Sequence, residues 1–291
     1  MKTNKPLVSI VTPSFNQGRF IEDTILSVKN QDYPNIEHII VDGGSTDNTL
    51  EILKKYEGTY NMRWISEPDE GQSDAVNKGF RMAKGEIIGW LNSDDVYFTR
   101  DVISYVVEQF MKNPDVDVIY GDNACIDEDT QLIKVRHTPD YSFSRLLRVD
   151  YIPQPSTFFR RKVILTHKLD VNIDLPMDYE YWLRLAVDGI KFKHVKKILS
   201  ANRIHKAMKT RSRKKEMEAE TRKVQEKYGQ EFDVTYRLLR QLDNVLFALF
   251  KIYGVKTVIK LYLLSPEKRN LAFPCKFDSL SKTILRQLFY I

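Results

Sequence analysis

Six residues at 7–12, LVSIVT, form an apolar, β-branched run that stops at Pro13, and the same event recurs down the first 120 positions. EHIIV at 37–41 runs into Asp42-Gly43-Gly44-Ser45, residues 63–66 make a shorter run, and 86–91 leads into WLNSDD. A further run follows at 116–120. Between these runs apolar residues recur at helical spacing: Phe20, Ile21, Ile25 and Val28, then Leu50, Leu53 and Tyr56. Ala75, Val76, Phe80 and Ala83 follow, and Val102, Ile103, Val106, Val107 and Phe110 complete the series. Ser45 or Thr46 is the expected N-cap of the second helix. Strands alternating with helices in this way predict an α/β fold, with a mostly parallel sheet covered by helices on both faces.

The later chain is mixed. Residues 123–136 read as a hairpin, 156–160 as a strand and 177–188 as a helix, with strands at 191–195 and 197–204. From about residue 212 the pattern is helical, with a charged first helix and a more apolar one over 234–264. Aromatic residues at 11% and apolar residues at 42% mark a folded chain. Two distant cysteines, Cys125 and Cys275, give neither a disulfide framework nor a cysteine metal site. No run approaches the roughly 20 apolar residues of a membrane span, and the first residues lack a signal-peptide core. The expected location is therefore the cytoplasm. The net charge of +6 is uneven: residues 1–202 carry 25 Lys and Arg against 30 Asp and Glu, whereas residues 203–291 carry 20 against 9.

Ligands of open parallel sheets bind beyond the carboxyl ends of the strands. Three strand ends here carry polar clusters, 12–17, 42–47 and 92–95, and the fold brings them to one edge. Taken singly, Thr-Pro-Ser is an ordinary turn and Asp-Gly-Gly-Ser-Thr-Asp is good turn chemistry. The latter lacks the Gly and Glu of a calcium loop. Asp94-Asp95 is different, because two carboxylates at the lip of a buried strand are costly unless a cation or a donor meets them. Mg²⁺ or Mn²⁺ bridging a carboxylate to a diphosphate meets that need. Neither G-x-x-x-x-G-K-S/T nor G-x-G-x-x-G follows the first strand, which removes the main support for ATPase and dinucleotide readings.

VSIVTPSFNQGRFIEDTILSVKNQ, IIVDGGSTDNT, GQSDAVNKGFRMAKGEIIGWLNSDD and MDYEYWLRLAVDG together resemble glycosyltransferase family 2, inverting enzymes of the GT-A fold. The resemblance covers residues 7 to about 207. It implies a Rossmann-like mixed sheet flanked by helices, and transfer of a sugar from a nucleotide sugar, most often a UDP-sugar, with Mn²⁺ or Mg²⁺. By position it assigns Thr12, Pro13, Ser14 and Asn16 to the first nucleotide-binding loop. Asp42 is assigned to the base, Ser93 and Asp94 to the nucleotide sugar, Asp94 near the ribose, and Asp95 to the metal. Gly43 stands where many members have a second Asp, and Ala75-Val76-Asn77 where many have Ala-Arg-Asn. Asp74, one residue earlier, offers an alternative donor contact. The resemblance makes Asp178 the general base, although an acid at a helix start also simply complements the helix dipole. Met177 replaces the Glu often found before it. Gln154, in IPQPSTFF, matches a position beside the acceptor, and His205, in NRIH, matches a histidine completing the metal or diphosphate site.

The implied organisation is a catalytic domain over 1–207, with a nucleotide-sugar half to about 122 and an acceptor half over 123–207, then a basic helical region over 208–291. The implied reaction glycosylates a glycan or lipid-linked glycan in cell-surface polysaccharide synthesis. Two rivals stand beside it. A nucleotidyltransferase making nucleotide sugars shares the sheet but needs a Gly-rich, basic first loop, which TPSFNQG is not. A catalytically inactive nucleotide-sugar binding module would not need to keep Asp94, Asp95 and Asp178. The basic run RSRKK at 211–215 has no interleaved aromatics, so nucleic acid is not an expected partner. Leu238, Leu239, Leu242, Val245, Leu246, Leu249 and Phe250, with Lys251, Lys256 and Lys260, suit peripheral attachment at the inner face of the cell membrane. They suit self-association or packing on the catalytic domain equally well.

Overall fold

The structure is a computed structural model and describes residues 5–206, 208, 212–229, 231 and 233–289. The first half follows the alternation in the sequence: β1 (Val8–Ser14), α1 (Ile21–Lys29), β2 (Ile36–Asp42), α2 (Thr49–Tyr56), β3 (Met62–Ser66), α3 (Gln72–Met82) and β4 (Ile87–Trp90). These four strands pair in the order β3-β2-β1-β4, all parallel. Every residue of β1 is buried, as a strand covered on both faces requires. The register sets Ser14 beside Asp42 and Val11 beside Trp90, so the three polar clusters share one edge.

Beyond β4 the sheet changes character. β5 (Val96–Tyr97) and α4 (Val102–Lys112) precede β6 (Val118–Ile126) and β7 (Leu132–Arg136). After α5 (Phe143–Arg148) come β8 (Thr157–Arg160), α6 (Arg161–Thr166), α7 (Met177–Val187) and β9 (Phe192–Arg203). The order continues β4-β8-β6-β9-β5, with β7 on β6; β8 is antiparallel to both neighbours and β9 is parallel to β6. The result is one nine-stranded mixed sheet. Gly89 lets β4 lie close to its cover: a β-carbon there would sit 2.5 Å from the Tyr97 hydroxyl and 2.9 Å from the Phe158 ring. Trp90, Phe159 and Trp182 pack beneath, with Phe159 and Trp182 stacked at 5.7 Å.

Three local expectations need correction. The hairpin is real, but its first arm is the end of one long β6, because Val118–Ile126 is buried throughout. The strands expected at 191–195 and 197–204 are one strand, β9, with register shifts against Gly121 and Asp122 absorbing the break. Neither Ser45 nor Thr46 caps α2: the helix starts at Thr49, and Asp47 accepts the Thr49 amide and hydroxyl. Ser45 instead donates to Asp42 at 2.5 Å.

The C-terminal segments are α8 (Lys214–Lys227), α9 (Val234–Leu263), α10 (Pro266–Arg269) and α11 (Leu280–Phe289). They pack back on the sheet domain with one face. Asp243 of α9 is buried between Arg145 and Arg148 of α5, at 3.1 and 2.9 Å. Gln287 of α11 bonds both the amide and the carbonyl of Val135 in β7. The opposite face of α9 leaves Leu238, Leu242, Val245, Leu249 and Ile252 more than half exposed. No helix among the described residues is long and apolar enough to cross a membrane.

Candidate active site

A cleft of about 480 Å³ opens where the parallel and antiparallel parts of the sheet meet. It brings together Pro13, Ser14, Ser93, Asp94, Asp95, Gln154, Asp178 and His205 from the sequence-derived set. Thr12, Asn16, Asp42 and Asp74 are not among its lining residues.

The acidic turn is held from behind. Thr24 of α1 donates its hydroxyl to the carbonyls of Ser93 and Asp95, at 3.0 and 2.7 Å. Arg203 is fully buried: its amide donates to Asp95 Oδ1 at 3.0 Å, and its Nε donates to the Asp94 carbonyl at 3.1 Å. Its guanidinium also pairs with Asp23 at 2.8 Å. His205 packs on Phe20 and lies 2.9 Å from Asp94 Oδ2 through Nε2. Burial, and then the charge of Asp94, push the Asp95 carboxyl well above the usual carboxylate range. Among the described residues no three His, Cys, Asp or Glu side chains converge to hold an ion alone.

The first loop meets the second. The Asn16 amide donates to Ser45 Oγ at 2.7 Å, and Asn16 Oδ1 accepts the Thr46 amide at 2.9 Å. Thr12 bonds His38, and Asp74 pairs with Lys78 at 3.3 Å. Asp42 is fully buried and accepts the Gly44 and Ser45 amides and the Ser45 and Ser66 hydroxyls. Both of its oxygens are thus engaged in shaping the loop. Ser14 is the opposite case: its buried hydroxyl lines the cleft with no hydrogen-bond partner. Gln154 is also engaged at both ends, accepting from Asn92 at 2.9 Å and donating to the Trp90 carbonyl at 2.7 Å. It locks the end of β4 to the turn before β8.

Asp178 begins α7 and accepts the Tyr179 amide at 2.9 Å. Met177 before it is buried, and its sulfur accepts the Ser73 hydroxyl, tying α7 to α3. Enclosure by the cleft walls raises the Asp178 carboxyl. Asp150 lines the same cleft with its surface exposed; desolvation by its neighbours and then the Asp178 charge raise its carboxyl, against the charge of Arg136.

Phe15, Asp69 and Asp150 are among the lining residues that sequence reasoning missed. Phe15 is 58% exposed at the cleft mouth, and an aromatic inside a polar loop was its signal. Asp69 lines the cleft and fills the space above Gly43, where a β-carbon would lie 2.5 Å from its Oδ2. The missing second Asp after Asp42 is therefore sterically matched by Asp69, which is remote in sequence. Asp150 stands four residues before Gln154, in no periodic pattern.

The paired acids at a strand end and the further carboxylate across the cleft stand where open α/β sheets bind their ligands, beyond the carboxyl ends of the strands. Residues 9–169 match the family Glycosyl transferase family 2, and the chain belongs to that family. It is 33% identical over 202 residues to a chondroitin synthase of Pasteurella multocida, covering 69% of this chain and 21% of that protein. It is 30% identical over 220 residues to TuaG, a putative teichuronic acid biosynthesis glycosyltransferase of Bacillus subtilis, covering 71% and 86%. The chain thus spans about a fifth of the chondroitin synthase and most of TuaG. Two solved structures share the fold. S. aureus TarS in complex with UDP-GlcNAc has a TM-score of 0.56 at 17% identity, over 69% of this chain and 60% of that one. A Pyrobaculum calidifontis mannosyltransferase with GDP-Man and Mn²⁺ has a TM-score of 0.56 at 20% identity, over 70% and 59%.

Proposed function

We propose that this chain is an inverting glycosyltransferase that moves a sugar from a nucleotide sugar, a UDP-sugar by preference, to a hydroxyl of a glycan or lipid-linked glycan in cell-surface polysaccharide synthesis. The observation that carries the reading is the placement of Asp94 and Asp95 in one cleft with Asp178. The chondroitin and teichuronic acid relatives support the polysaccharide assignment, and the TarS complex supports the UDP-sugar. Of the donor contacts inferred from the sequence, Ser14 has the orphan hydroxyl that a ligand oxygen would satisfy. Phe15 offers a face for the nucleobase, and Asp69 a carboxylate beside Gly43. Thr12, Asn16 and Asp42 act one layer back, fixing the two loops. Asp74, paired with Lys78, would orient the start of α3.

The residues fit a divalent ion whose shell is completed by the substrate. Asp95, with Asp94 and His205 beside it, supplies hard oxygen and imidazole donors, and a cation would relieve the like-charge pressure on Asp95. When bound, Mn²⁺ or Mg²⁺ neutralises charge on the leaving diphosphate. Asp178 then removes the proton of the acceptor hydroxyl. The hydroxyl oxygen bonds to the anomeric carbon from the face opposite the departing diphosphate, which inverts the anomeric centre. The raised carboxyl of Asp178 suits it to take a proton. Gln154 supports the acceptor wall by holding β4 to the β8 turn. The chain works in the cytoplasm at the inner membrane face, with the exposed stripe of α9, Lys256 and Lys260 as the peripheral contact.

Asp178→Asn tests the reading. Transfer should fall by about 10²–10⁴-fold, the usual weight of a general base, with UDP-sugar affinity unchanged. Near-normal turnover with intact donor binding would assign the proton to another group.

A further inference from the structure

A second groove, of about 300 Å³, adjoins the catalytic cleft at Asp150, which lines both. Its walls are β7, with Lys134 and Arg136, and α9, with Phe247, Phe250 and Lys251. Arg136 and Lys251 are exposed; the charge of Arg136 acts on Asp150 at the junction, and its side chain also bonds Cys125. Phe247 and Phe250 are half-buried and meet edge to face at 6.5 Å, presenting ring surface to the groove. Asp150, at the junction, is the single acid in the lining. The volume suits one or two sugar rings.

We propose that this groove is the acceptor subsite for an anionic glycan, the acceptor's carboxylate or phosphate lying between Arg136 and Lys251. The proposal rests on the glycosyl-transfer reading and names its acceptor class. Three observations converge on it. The groove adjoins the cleft at Asp150, so a chain with its terminal hydroxyl at Asp178 has only to pass Asp150 to reach it. Cationic groups stand on both walls, Arg136 on β7 and Lys251 on α9, and such groups grip a carboxylate or phosphate. Phe247 and Phe250 line the α9 wall beside Lys251, where the apolar face of a sugar ring stacks. Asp150 serves as a positioning residue, accepting a hydroxyl of the sugar that crosses the junction.

The test is calorimetric binding of three probes to the full chain: a uronate-containing tetrasaccharide, its carboxyl-reduced neutral counterpart, and that neutral tetrasaccharide bearing a phosphate monoester. At least one anionic probe should bind at least about tenfold more tightly than the neutral one, and Arg136→Gln with Lys251→Gln should erase that difference. UDP affinity, read on the other wall, reports an intact fold. The uronate and phosphate arms tell a charged glycan from a lipid-linked phosphate. Equal binding of all three probes overturns the proposal. So does a preference that survives in the double variant while vesicle binding is lost, since the cations would then serve a membrane. Because these measurements need no turnover, they stand apart from the Asp178→Asn experiment.

Discussion

Whether the C-terminal region is a fixed wall of the site depends on one buried carboxylate, and Asp243→Ala measures it. Asp243 is 3% exposed and faces two guanidiniums, Arg145 at 3.1 Å and Arg148 at 2.9 Å. Their exposures decide the magnitude. Arg145 is 25% exposed and would partly rehydrate, so its share is small. Arg148 is 9% exposed and would be left charged and buried, a loss that costs about 3–5 kcal/mol. Since about 1.4 kcal/mol is a factor of ten, the opening of α9 should become roughly 10²–10⁴ times more frequent. Hydrogen exchange by mass spectrometry reads this directly: peptides within 234–263 should lose that protection, while peptides of β1 and β2 keep theirs. UDP binding should be unchanged, because Asp243 lies outside the cleft lining. Unchanged protection in α9, or an equal loss across the whole sheet, would refute the assignment of a local anchor.

Three further expectations concern other parts of the molecule. Asp95→Ala should abolish metal-dependent UDP binding without unfolding the chain; titrations with and without Mn²⁺ check it, and unchanged metal dependence counts against Asp95 as a ligand. Asp122 is nearly fully buried, which alone would raise its carboxyl. Hydrogen bonds from His137, His194 and the Thr138 amide outweigh that and hold it at about 2 against an ordinary 3.8. A lowered carboxyl stabilises the fold above its unfolded pKa, and that contribution, about 2 kcal/mol, fades as pH falls from about 4 to 2. Asp122→Asn should remove it, so urea midpoints of wild type and variant should differ at pH 7 and converge near pH 2. A difference independent of pH would reject the linkage. Finally, the full chain should sediment with anionic vesicles at low salt and Leu242→Glu with Leu249→Glu should not, since each nearby Lys or Arg adds about 1 kcal/mol on anionic lipid. Equal binding to neutral vesicles, or no binding by either protein, would leave the exposed stripe to another role.

The first four strands were readable because each is an apolar run ended by turn residues, and burial on both faces writes that pattern strongly. β9 was not readable as one strand: only some of its residues are buried, so it lacks both a continuous run and strict alternation. The lining of the cleft was legible at strand ends, at Ser14, Ser93, Asp94 and Asp95, and through motif context at Asp178. What stayed hidden depends on contacts between distant segments. Asp69 above Gly43 and Asp150 beside Asp178 are pairings of the fold, not of the chain. Asp42 and Gln154 look like ligand contacts in sequence, yet their polar atoms are occupied within the protein. Residue type alone does not distinguish a carboxylate that meets a ligand from one that shapes a loop.

Arg203 shows how the acidic turn is kept available. Its charge acts on Asp95, and a direct guanidinium pairing would have been the simplest way to offset that buried carboxylate. Instead only its backbone amide reaches Asp95, while its guanidinium is directed to Asp23 and the carbonyls of Asp94, Asp127 and Glu128. The positive charge braces the turn from behind and leaves the Asp95 side chain facing the cleft. An incompletely paired buried carboxylate costs several kcal/mol. A protein built only for stability would have turned Arg203 onto it or replaced the acid. That the rigid scaffold spends its arginine on the backbone, with Thr24 doing the same from α1, is physical grounds for reading Asp95 as waiting for a cation carried in with the substrate.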